Sequence, residues 1–85
     1  MRSAVELDCG IAKSRIDAWL DRELGLEGRV FHFEGESCAV STSLLESRPF
    51  GTIELERTCL KVEGDAGAID EFMRLFTLRF ASAGG

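Results

Sequence analysis

The chain opens on an alternation. Val5, Leu7 and Cys9 fall on one side of an extended segment, and Ala4, Glu6 and Asp8 on the other. A period of two predicts a half-buried strand over residues 4–9, ended by Gly10. The period then changes. Ala12, Ile16, Trp19, Leu20 and Leu24 recur at helical spacing and form one apolar stripe, with Lys13, Arg15, Asp17, Asp21 and Arg22 largely off it. Residues 12–24 are therefore expected as a helix. Its like-charge pair Asp17 and Asp21 has Lys13 and Arg22 near enough to offset it. Gly25 is expected as a left-handed cap, with Leu26 folding back in a Schellman-type contact.

Alternation returns at residues 28–34, where Phe31 and Phe33 share one face and Val30, His32 and Glu34 the other. Gly35-Glu36 fits a type II′ hairpin turn. Residues 37–45 form the returning strand, Cys38 and Val40 facing the core and Ala39, Ser41 and Ser43 facing out. The next connection is 47–51, marked by Pro49 and Gly51. A third strand of the meander, 52–63, carries a defect. Ile53 and Leu55 have odd parity and Leu60 and Val62 even parity. One regular strand cannot place both pairs on one face, so a bulge or break is expected between Glu56 and Cys59.

Asp65 is expected to cap a last helix, with Asp70 and Glu71 early and Arg74 and Arg79 late, as the helix dipole prefers. Ile69, Phe72, Met73, Phe76, Phe80 and Ala83 follow helical spacing. Residues 76–80 also alternate perfectly and would serve as a strand. No Gly, Pro, Asn or Asp between Phe72 and Ser82 offers a turn, which favours the helix. The fold expected is thus α+β: a single domain over residues 1–85, a two-layer sandwich of about four antiparallel strands with two helices on one face, in the order βαβββα. The alternative is the ferredoxin-like order βαββαβ. This layout resembles two-layer sandwiches of the ferredoxin-like and TBP-like kind. No motif ties it to a family, and layout does not carry function.

Composition narrows the partners. A net charge of −5, with ten Lys and Arg scattered along the chain, disfavours nucleic acid and anionic membranes. The sheet's outward face, which includes Glu6, Asp8, His32, Glu34, Thr52, Glu54, Glu56 and Lys61, is polar and acidic and lacks the aromatic platforms of single-strand binders. No apolar run approaches the ~20 residues of a membrane span. The opening residues, charged at Glu6 and Asp8, do not resemble a secretory leader. The three cysteines are irregularly spaced. A cytoplasmic location with free thiols is expected.

Candidate chemistry is sparse. Cys9, His32, Cys38 and Cys59 are the types of a Cys₃His zinc set, but no Cys-x-x-Cys pair is present and His32 has the wrong parity to join Cys38. They read as three small hydrophobes and a surface histidine, with neither metal nor cofactor expected. Cys59 stands between Arg57 and Lys61, which would favour a thiolate, against Glu54, Glu56 and Glu63. His32 beside Glu34 could act as a base, but no nucleophile stands at a recognisable spacing. Gly64-Asp65-Ala66-Gly67 precedes a helix, and Asp65 would repel any anion there.

Apolar residues are left over: Leu44, Leu45, Phe50, Leu75 and Leu78 do not all fit behind two helices. A surplus of this kind points to a buried interface with protein, above all a second copy. Three functions follow in order. The first is a non-enzymatic protein-interaction module that self-associates as a homodimer. The second is a small-molecule or regulatory ligand-binding module with a pocket near 56–59, for which Arg57, Cys59 and His32 are the candidate residues. The third is a small enzyme using Cys59 or His32.

Overall fold

A computed structural model describes residues 2–50 and 53–81, the side chains of 46–50, 53–56 and 81 excepted. Thr52 and Ala83, and the side chains of Phe50, Glu54 and Glu56, lie outside the described residues. Four strands form one antiparallel sheet: β1 (Arg2–Cys9), β2 (Val30–Phe33), β3 (Glu36–Phe50) and β4 (Ile53–Asp65), in spatial order β1-β4-β3-β2. The helices are α1 (Lys13–Ala18) and α2 (Ala66–Phe76), each continued by a wider π turn, Trp19–Glu23 and Thr77–Ala81. The order is βαβββα and the helices pack on the sheet, so the two-layer α+β reading holds and the ferredoxin-like alternative is overturned.

Parity explains which face is covered. Across the sheet, Val5 pairs with Val62, Leu7 with Leu60, Val40 with Val62 and Phe31 with Cys38. These side chains meet the helices, and Leu60, Val62, Val40 and Cys38 are buried. Ile16, Trp19 and Leu20 from the first helix and Ala68, Ile69, Phe72, Phe76 and Phe80 from the second complete the core. Trp19 is its hub, with ring centroids 5.5 Å from Phe72, 5.9 Å from Phe76 and 5.4 Å from Phe80. Tilted and edge-on ring pairs of this kind add to the gain from buried area.

The π turns serve the same core. Leu24 N–H donates to the Trp19 carbonyl at 2.9 Å, five residues back. The widened turn lets the consecutive residues Trp19 and Leu20 both point inward. At the second helix, side chains four residues apart drift around an α-helical cylinder, and the looser turn after Phe76 holds Phe80 on the Trp19 side. Leu78, between them, is 58% exposed. A strand would have put Leu78 on the same face as Phe76 and Phe80. The alternation there is therefore a coincidence of two phenylalanines at i and i+4.

Three local expectations are corrected. The hairpin turn is Glu34-Gly35, not Gly35-Glu36: Phe33 pairs with Glu36, and both loop residues have positive φ, 48° and 79°. That is type I′ geometry, whose twist matches the flanking strands. The bulge or break expected between Glu56 and Cys59 is not found: β4 is continuous from Ile53 to Asp65, and the register shift lies in β3. Leu45 pairs with Arg57 and Arg48 with Leu55, so the extra residue belongs to β3, while β4 runs unbroken beside β1 from Thr58 to Asp65. Nor are residues 47–50 a connection. They extend β3, and Pro49 pairs with Glu54. Proline is tolerated there because β2 covers β3 only as far as Ala39, leaving the rest an edge.

Two contacts fix β4 against its neighbours. Gly64 is buried with φ of 150°, and a Cβ there would stand 2.5 Å from the Ser37 carbonyl oxygen and 2.6 Å from the Cys38 Cα. Only glycine permits that approach of β3 to β4. Thr58, fully buried, donates its hydroxyl to the Ile11 carbonyl at 2.7 Å, tying the loop after β1 to β4.

Candidate functional site

The loop between α1 and β2 borders a concave surface. An open groove of about 650 Å³ runs along β2, the sheet's edge strand. Its apolar lining is Leu24, Leu26, Val30 and Phe31. Glu27 and His32 supply charge and hydrogen-bonding capacity, and Gly25 and Gly28 bring backbone to the surface. The volume lies in the range of small-ligand sites, but the groove is broad rather than enclosed.

A cluster of charges shapes that loop. Arg29 stands at positive φ (56°), a costly conformation for a residue with a Cβ. Its guanidinium donates to both Asp21 carboxylate oxygens, at 2.8 and 3.0 Å, and to Asp17 at 3.1 Å. Asp17 also accepts from Lys13 Nζ at 2.7 Å and from the Thr42 hydroxyl at 2.6 Å. Burial acts to raise the Asp17 pKa. The hydrogen bonds from Lys13 and Thr42, the Lys13 charge and Arg29 together outweigh it and hold the carboxyl below its ordinary range. Asp21, with burial opposing, raises the already high Arg29 pKa. The cluster therefore joins helix, loop and β3 and fixes the groove's wall.

Sequence reading identified the Asp17–Asp21 conflict but not its resolution. Lys13 does pair with Asp17. The second cation is Arg29, from beyond the helix, rather than Arg22. A like-charge pair one turn apart on an otherwise regular helix was the available signal, but the partner's distance along the chain hid it. The Gly25 cap forms in altered shape: Gly25 has φ of 61°, and Leu26 N–H reaches the Leu20 carbonyl at 2.9 Å, one residue further back than a Schellman bond because the last turn is wide. Asp65 does occupy the N-cap of α2, but its carboxylate accepts the Ser37 N–H at 3.1 Å and makes no capping bond to the helix.

The three candidate residues are not one constellation. His32 is exposed at the groove rim, on the face opposite the buried Cys38. Arg57 and Cys59 lie on β4, away from the groove. The Arg57 guanidinium is turned to Asp8, through Nε at 3.2 Å and through Nη2. The Cys59 thiol donates a hydrogen bond to a Glu6 carboxylate oxygen at 3.6 Å. Neither contact favours a thiolate nucleophile. Burial pushes the thiols of Cys9 and Cys38 up, with Cys59 adding to the first and Asp65 to the second. Among the described residues no group of three or more His, Cys, Asp and Glu is placed to hold a metal ion, and no helix is long and apolar enough to cross a membrane. The expected pocket near 56–59 falls partly on side chains outside the described residues.

Comparison with protein-family models, with curated proteins and with solved structures finds no match.

Proposed function

We propose that the chain is a non-enzymatic protein-interaction module that associates with itself. The observation that carries this reading is Leu44. Its parity places it on the face that the helices cover, opposite the buried Thr58, yet it is 63% exposed because it lies beyond their reach. Leu75 and Leu45, from the same apolar surplus, are half-buried, and Leu78 is exposed. Leu44 on the sheet and Leu78 on the second helix together offer apolar surface that a partner would cover. Sedimentation equilibrium over a range of protein concentrations tests the reading. A mass that rises from one chain to two with concentration is expected, and a monomer at every concentration defeats it.

The groove along β2 favours a second reading, a module that binds a small apolar ligand. Its apolar wall and exposed His32 suit a flat or elongated molecule with one hydrogen-bonding group. The probe is the dye ANS. Fluorescence enhancement by the native protein, reduced by Leu26→Trp, would support this reading; no enhancement would remove it. No contact among the described residues supports the third reading, an enzyme using Cys59 or His32.

A further inference from the structure

We propose that self-association occurs edge to edge, by antiparallel pairing of β3 with β3 of a second copy about a twofold axis at Ser43. The inference rests on the self-association reading and names its surface. Three observations carry it.

The first is backbone geometry. The two-residue Glu34-Gly35 turn closes on Phe33 and Glu36, which form a hydrogen-bonded pair. Pairs alternate along an antiparallel ladder, so Glu36 and Cys38 aim their N–H and C=O groups at β2. Val40, Thr42 and Leu44 continue that series, but β2 pairs no further than Ala39. Arg29, at its positive φ and held by Asp21 and Asp17, turns the chain off the edge just before Val30. The outward backbone groups of Thr42 and Leu44 thus face no strand among the described residues.

The second is charge. Residues 38–45 read Cys-Ala-Val-Ser-Thr-Ser-Leu-Leu, without a charge, a proline or a glycine. Edge strands normally carry such blocking residues. The sheet's other edge does carry charge: β1 has Arg2, Glu6 and Asp8. A chain of net charge −5 repels its own copies wherever acidic groups are opposed. Residues 40–45 of β3 carry no acidic group, and the carboxylate nearest them, Asp17 at the Thr42 hydroxyl, is already paired with Lys13 and Arg29, which favours a second copy as the occupant.

The third is register. The regular free edge is bounded by Ala39, which β2 covers, and by the bulge after Leu45. An axis at Ser43 pairs Ser41 with Leu45 and Thr42 with Leu44 of the other copy. It uses no residue beyond either bound. It also brings both copies of the exposed Leu44 to the seam, where each gains cover.

The test combines association and crosslinking on the full chain, in a Cys59→Ser background. Ser43 residues across the axis form a non-hydrogen-bonded pair, about 4.5 Å between Cα atoms, within reach of a disulfide. Ser43→Cys is therefore expected to give a covalent dimer with diamide, whereas Ser3→Cys, on the β1 edge, is not. Leu44→Lys opposes lysines near the axis and is expected to weaken association about tenfold or more. Where Leu44→Lys loses its native circular dichroism, the crosslink at the exposed Ser43 decides alone. Association that Leu44→Lys leaves unchanged, or crosslinking at Ser43 no greater than at Ser3, overturns the edge assignment and leaves self-association standing. A monomer at every concentration removes both.

Discussion

Single residues here do work that their types alone do not announce. Gly64 is needed because β3 and β4 approach too closely for any Cβ. Gly64→Ala is expected to cost about 2 kcal/mol or more, since it combines a backbone clash with an unfavourable φ; a lowered urea midpoint checks it. Asp17 gives a prediction in pH. An ordinary aspartate titrates near 3.8, and Asp17 lies lower when folded. A group with a depressed folded pKa stabilises the fold above its unfolded value and loses that contribution as pH falls through the folded one. Asp17→Asn should therefore destabilise by about 2 kcal/mol at neutral pH, and the gap should begin to narrow near the ordinary aspartate value and keep shrinking as pH falls through the lower folded one. Urea titrations of both proteins at several pH values measure it; a gap constant across that range would contradict it.

At the scale of elements, the pattern of apolar positions carried far more than the positions of turns. Both amphipathic stripes, over 12–24 and from Ile69 to Phe80, became helices, and each strand face was assigned correctly where side chains are described. The stripes report burial, and burial depends on periodicity, which is local. Turns depend on φ and on pairing partners. Gly35 drew the hairpin one residue too late because glycine suits the first position of one turn and the second of another. Glu34 now occupies a left-handed position that asparagine or glycine adopts with less strain. Glu34→Asn should raise stability by about 0.5–1 kcal/mol, seen as a higher melting temperature. The bulge was inferred from parity on β4, but the extra residue is on β3. A parity switch within one strand is met either by a bulge in that strand or by a regular strand whose apolar residues change face, and the period alone does not say which.

For the whole molecule, Trp19 joins the two helices through three phenylalanines, so the sandwich is expected to unfold as one unit. Phe80→Ala, at the far end of the second helix, should cost about 3–4 kcal/mol by leaving a cavity against Trp19. The fluorescence of this single tryptophan reports that loss directly through the unfolding midpoint. The body is elongated, 47 × 24 × 22 Å, because β3 and β4 run on past their neighbours. From sequence alone came the α+β class, the element order, the faces of the strands and the want of a catalytic motif, since these follow from local period and residue chemistry. Only the tertiary structure decided the Arg29 clasp on Asp17 and Asp21, the groove along β2, the separation of His32 from Arg57 and Cys59, and the length of β3 left as an open edge. Each of these depends on residues far apart in the chain meeting, or failing to meet, and periodicity carries no record of that.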